Sequence, residues 1–213
     1  MAVGARRLRA SAYAQMRGCP SRGAGGRLHL IGWSWGGQTA GLVAQRHPEL
    51  VNRLVLTAPV LDRPAGDPPP PAGAFRPTDP GLAGLFFAPA AAPEAVAALR
   101  AGVLATEPLV PSGPLVDWRT APQQADPGRI TAPTLVVYGA EDAVTPPAGP
   151  GVRPFFERLA TPEKRLVVVP GAGHALFLER QRARWYEAVL AHLEPGNTPW
   201  RLDPPDRGEG SGG

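Results

Sequence analysis

The apolar positions of this chain fall into short blocks of two kinds. Leu28, Leu30 and Ile31 form a run that closes on Gly32, and Leu54 to Thr57, Leu135 to Tyr138 and Arg165 to Val169 form three more. Short apolar runs bounded by turn formers predict strands buried on both faces, as in a parallel sheet. Between the first two runs, Gly36 to His47 carries Ala40, Leu42, Val43 and Ala44 without a proline and stops at Pro48, which predicts a helix. Pro93 to Ala105, with proline in its first turn, predicts a second helix. Glu179 to Leu193 predicts a third, in which Trp185, Tyr186, Val189, Leu190 and Leu193 recur at helical spacing and give one buried stripe. Strands alternating with helices predict an α/β fold, a parallel sheet with helices on both faces.

The breaks in this pattern divide the chain. Residues 62–128 open with DRPAGDPPPPAGAFRPTDPG, whose proline density argues against helix and central strand alike. Residues 1–26 are Arg-rich, end in glycines and contain no acid, the first acidic residue being Glu49. Residues 195–213 hold turn formers without periodicity, which predicts disorder. The expected organisation is an N-terminal segment 1–26, a core made of 27–61 and 129–194, a Pro-rich insert 62–128, and a tail 195–213. Within the first segment, Arg6 to Met16 has the Ala and Arg content of a helix.

The candidate chemistry lies where the first strand meets the first helix. Gly32 to Gly36 read G-W-S-W-G, a serine pinched between small residues at a strand–helix turn. Such a turn holds its central residue in an unfavourable backbone conformation and lifts the hydroxyl above the sheet edge, the geometry of a nucleophile elbow at Ser34. A serine hydroxyl needs a base, and that base needs an orienting acid. Of the four histidines, His29 falls inside a strand, His47 at a helix end, and His192 near the end of the last helix, where the helix dipole favours it. His174 follows the strand Arg165 to Val169 on the glycine-rich loop PGAG, at the carboxyl end of the sheet where α/β folds place their ligands. The acid is expected after Leu135 to Tyr138. Asp142 is the first choice, neighbouring Glu141 the near alternative and Asp62 a more distant one. The order Ser34, Asp142, His174 is the Ser…Asp…His order of one hydrolase fold and of neither common serine protease.

LIGWSWGG, LVVYGAEDAVTP and VVPGAGHALFLE together resemble the nucleophile, acid and histidine segments of the α/β-hydrolase family, over roughly Gly26 to Leu193. The resemblance implies a serine hydrolase that cleaves a carboxylic ester or related acyl compound through an acyl-enzyme, with no metal or organic cofactor. Ser34 would attack, His174 move the proton, Asp142 orient the ring, and the Trp35 backbone N–H hold the oxyanion. Within the same fold, an acyltransferase, a peptidase or a perhydrolase would use the same groups. The family places an insert such as 62–128 as a lid, where Phe86, Phe87 and Trp118 either line an acyl pocket or pack the lid onto the body. Trp33 and Trp35 either narrow that pocket or fill space beside the elbow. The family also carries strands before its nucleophile strand, which 1–26 does not resemble. The chain is therefore expected to be shortened at its N-terminal side and to lack the family's other oxyanion donor. An apolar sheet edge open to self-association would follow, as would the alternative reading of an impaired fragment acting as an interaction protein.

Composition changes this picture little. The chain has 213 residues and is 43% hydrophobic, enough for the core of one domain, while 28 prolines and 26 glycines imply long irregular stretches. The formal net charge is +4, carried almost wholly by arginine, Lys164 being the one lysine. No basic stripe interleaves with aromatics, so nucleic acid is not an expected partner; a small acyl substrate is. A single cysteine, Cys19, allows neither an intrachain disulfide nor a Cys-based metal site. No apolar run approaches the ~20 residues of a bilayer span and no secretory h-region follows Arg6-Arg7, so a cytoplasmic location is the expectation.

Overall fold

The computed structural model describes residues 26–61, 73–79, 81–120 and 125–194. Segments 1–25 and 195–213, together with Asp62, lie outside the described residues.

Of the four apolar runs expected to be buried on both faces, the inner two meet that expectation, while the outer two of the described sheet leave Ile31, Leu166 and Val168 exposed because a neighbour lies on one side only. Strand β1 (Leu28–Trp33), β2 (Val51–Thr57), β5 (Thr134–Gly139) and β6 (Lys164–Val169) pair in parallel in the order β1-β2-β5-β6. The register aligns Leu30 with Leu54, Leu54 with Thr134, and Thr134 with Lys164. All six residues of β5 are buried, as a central strand demands. A separate antiparallel ribbon, β3 (Phe75–Pro77) with β4 (Leu109–Pro111), belongs to the segment between β2 and β5.

The sheet separates two apolar layers. On one face, Leu54, Leu56, Val136 and Tyr138 pack with Ala40, Leu42, Val43 and Ala44 of α1 (Trp35–Arg46). Val152 and Phe155 of a later helix, α5 (Val152–Arg158), complete that layer. On the other face Val55, Leu135, Val137 and Val169 pack with Val189 of α6 (Arg182–Leu193), with Trp185, Ala188 and Leu193 partly buried beside them. Burying each such Leu or Val stabilises the fold by roughly 1.5–3 kcal/mol, so the two layers supply the main driving force.

Several expectations need correction. The last helix begins at Arg182, not Glu179, because residues 174–181 form turns in which the Glu179 carboxylate is drawn to Gly173 N and Ala88 N. Its stripe keeps the expected Trp185, Val189 and Leu193 and adds Ala188 and His192; Tyr186 is 47% exposed and lies outside it. The proline-rich stretch holds no central strand, as expected, but does supply one strand of the ribbon, β3. Prolines fit because they close the ends of a two-stranded ribbon and need not donate to a central ladder. Besides α3 (Pro93–Thr106), the insert holds α2 (Leu82–Leu85) and α4 (Gly113–Thr120), neither of which showed apolar periodicity. None of these helices is long and apolar enough to cross a membrane.

His192 is the other departure. It sits at the end of α6 but is 4% exposed, with Nε2 3.2 Å from Pro133 O. Burial, and then the charge of Arg53, push its pKa below the ordinary 6.5; Arg165 adds to this, while the Pro133 and Leu54 backbone pull the other way. Loss of solvent outweighs the helix dipole. A pKa lowered by folding means that the unfolded chain takes up a proton near pH 6.5 that the native state refuses. Stability should therefore fall as pH drops through 6.5. The thermal midpoint is expected to decline between pH 7.5 and 5.5, and His192→Gln should flatten that decline; an identical slope in both proteins would refute the assignment.

Candidate active site

The turn between β1 and α1 places Ser34 at φ 55° and ψ −122°, one of two non-glycine residues with positive φ among the described residues. A side chain rarely tolerates this conformation, which costs of order 1–3 kcal/mol and persists where surrounding contacts fix it. Here Ser34 N donates to Thr57 O at 2.9 Å, and Ser34 O accepts from Gly37 N at 3.0 Å. Close packing leaves no alternative to glycine two residues earlier: a Cβ on Gly32 would lie 2.4 Å from Gly36 O and 2.8 Å from the Ala40 Cβ. Trp35 opens α1, so its N–H has no acceptor within the helix.

The loops beyond β5 and β6 bring two more predicted residues together. His174 is 0% exposed, and its Nδ1 lies 2.9 Å from Asp142 Oδ2. Asp142 is fixed from three sides: Oδ1 accepts from Val144 N and Thr145 N, both at 2.8 Å, and Oδ2 accepts from Thr145 Oγ1 at 2.7 Å. These donors compensate a carboxylate that would otherwise be costly to bury. A carboxylate only accepts, so in the neutral ring Nδ1 carries the proton and Nε2 presents a lone pair. Nε2 is buried and has no hydrogen-bond partner among the described residues. Ser34 follows β1 and His174 follows β6, at the same end of the sheet, and Trp33, which adjoins Ser34, touches the imidazole; Ser34 and His174 are not hydrogen-bonded to each other. Glu141, the near alternative to Asp142, is exposed and makes no bond to the imidazole.

Aromatic rings enclose the imidazole. Trp33 lies 5.3 Å from it by ring centroids, and Phe86 lies at the same distance; Trp33 Nε1 also donates to His174 O at 2.9 Å. Phe177 packs edge-on to Trp33 at 5.0 Å and continues to Trp185, whose Nε1 donates to Thr57 Oγ1. Phe86 therefore covers the histidine. Phe87 turns away into a cavity of about 830 Å³ between α3 and the acid loop, lined also by Leu85, Val96, Arg100, Leu104 and Ala143. Neither Ser34 nor His174 lines that cavity. Trp118 belongs to α4, and its side chain lies outside the described residues.

Two polar residues of this region escaped the sequence reading. Thr145 touches Asp142 and lies 3.2 Å from His174 Nδ1. Its signal was the short spacing D-A-V-T, in which the acid accepts from backbone two and three residues on. Glu179, buried at 3% exposure, carried no local signal at all.

The model of the "Alpha/beta hydrolase family" matches residues 2–188. The chain belongs to that family. The match begins well before β1, and so takes in the Arg-rich segment 1–26 that was not expected to resemble the family. As a member of the α/β hydrolases, the chain is 34% identical over 184 residues to the pimeloyl-[acyl-carrier protein] methyl ester esterase of Chromobacterium violaceum, covering 78% of this chain and 69% of that one. It is 29% identical over 171 residues to the enzyme of the same name from Nitrosomonas europaea, covering 72% and 66%. The chain thus spans about two thirds of each esterase's length. Among solved structures, the Paleococcus ferrophilus monoacylglycerol lipase superposes with a TM-score of 0.63 at 20% identity, over 88% of this chain and 74% of that one, a likeness of fold.

The hydroxyl of Thr145 can be tested by itself. Thr145→Val keeps the shape but leaves Asp142 Oδ2 short of one donor, so it should cost roughly 1–3 kcal/mol in denaturant unfolding. An unchanged midpoint would show that the bond contributes nothing.

Proposed function

We propose that this α/β hydrolase cleaves a carboxylic ester by way of a Ser34 acyl-enzyme. The observation that carries the reading is a strained serine at the carboxyl end of β1, at the same end of the sheet as a buried histidine whose Nδ1 is held by Asp142. Two relatives that are methyl ester esterases support an ester as the bond broken.

In the first half-reaction the Ser34 Oγ attacks the ester carbonyl carbon while His174 Nε2 takes the hydroxyl proton. The oxyanion so formed accepts from the Trp35 N–H, whose place at the start of α1 adds the positive end of the helix dipole. Asp142 stabilises the imidazolium and keeps the ring in the tautomer that frees Nε2. Collapse expels the alcohol, which receives the proton from Nε2 and leaves an acyl-serine. Water, deprotonated by the same nitrogen, then attacks that carbonyl; the acid departs and Ser34 regains its proton. The missing Ser34–His174 bond accords with this scheme, since such contacts often tighten only once substrate is bound.

A fluorophosphonate probe should label Ser34 in the wild-type chain and not in Ser34→Ala; equal labelling of both would end the assignment. Asp142→Asn should lower any ester turnover by as much as ~10⁴-fold, because the amide favours the wrong tautomer. Glu141→Gln and Asp62→Asn should cost far less. If Asp62→Asn proves the more damaging change, the acid sits after β2 and the Asp142 role is withdrawn.

A further inference from the structure

One buried acid near the site has no part in the scheme above. Glu179 Oε1 accepts from Gly173 N at 2.8 Å and from Ala88 N at 3.3 Å. The first amide immediately precedes His174; the second belongs to the insert. Around this oxygen the two backbones run flush. Ala175 N donates to Phe86 O at 2.6 Å, and a Cβ on Gly173 would come within 2.4 Å of Ala88 N and 2.7 Å of Phe87 C. The segment held in this way, Phe86 to Ala88, is the one whose phenylalanine covers the imidazole.

A carboxyl group in this place is expensive. Burial pushes the Glu179 pKa up, and the charges of Glu141 and Asp142 add to the rise, while the bonds from Gly173 and Ala88 pull it back. Its second oxygen, Oε2, is buried with no partner among the described residues. An apolar side chain would avoid these costs but could not accept from two amides of separate segments at once.

We propose that Glu179 is a positioning residue: its Oε1 clamps the insert segment Phe86–Ala88 to the histidine loop and so holds the His174 ring between Trp33 and Phe86. The clamp acts on the orientation of the base, not on the ester. It rests on the Ser34–His174 chemistry proposed above, and it has a readout independent of that chemistry.

The test combines amide hydrogen exchange on the full chain with turnover of a short p-nitrophenyl ester. In Glu179→Ala, exchange should quicken at Ala88 and Gly173 together, and kcat should fall by about tenfold or more with KM changing less, as expected when a reacting group loses its alignment. Glu179→Gln keeps one carbonyl oxygen in place, so it should retain the protection and most of the turnover. Gly173→Ala should quicken exchange at Ala88 with Glu179 intact, and this arm decides the question should Glu179→Ala fail to fold. The clamp is overturned if both amides stay protected and kcat stays within about twofold in Glu179→Ala. It is equally overturned if Glu179→Gln falls as far as alanine, or if Gly173→Ala leaves Ala88 protected. Absence of fluorophosphonate labelling in the wild type would instead refute the acyl-enzyme reading, with the exchange measurements still judging the clamp.

Discussion

The site rests on one backbone reversal. Ser34 occupies a conformation that a residue with a Cβ avoids, and no local preference stabilises it. What holds it is the sheet itself, through the bond from Ser34 N to Thr57 at the end of β2, together with the close approach of β1 to α1 at Gly32. The strain is therefore paid by contacts distributed over three elements. If β2 shifted along β1 by one residue, the turn would lose its anchor and both buried faces would exchange places.

From that fixed point the rest of the site follows by register. β5 and β6 run parallel to β1, so all three deliver their following loops to one end of the sheet. Asp142 leaves β5 within a few residues, pinned by Val144 and Thr145, and His174 leaves β6 by a glycine-rich loop. The histidine is closed off from solvent by Trp33 on the sheet side and Phe86 on the insert side. In such a dry enclosure each hydrogen bond to Asp142 is worth more than in water, and an unmet polar atom costs more.

Much of this was legible because its signals are local. The four strands are apolar runs of the right length, and each of Ser34, Asp142 and His174 follows one within a few residues, so element order alone carries them to one end of the sheet. What was not legible depends on contacts far apart in the chain. Glu179 looks like a helix-starting acid, and only the approach of Ala88 and Gly173 turns it inward. His192 looks like a dipole-stabilised cation, and only the packing of α6 over Pro133 buries it. Tyr186 fits the periodicity of α6, yet it stays 47% exposed, its ring set edge-on against Trp185 and outside the buried layer. The small helices α2 and α4 carry no amphipathic pattern because the insert has little core for them to face.

The chain connectivity of the sheet has a kinetic consequence. β1, α1 and β2 are contiguous, as are β5, α5 and β6, but β2 and β5 meet only across residues 58–133. Closing that long loop carries an entropic cost that neither half faces within itself, so local pairing is favoured before the halves join. Ser34 travels with the first half, and Asp142 with His174 travel with the second. A refolding chain therefore completes the anchor of Ser34 to Thr57 and the Asp142–His174 pair separately, and Ser34 reaches the end of the sheet that holds His174 only at the last, least local step. Pulse-labelling exchange during refolding would report this as early protection within each half and late protection of Ala58, whose amide crosses the seam to Val137. Early protection of Ala58 would rule the sequence of events out.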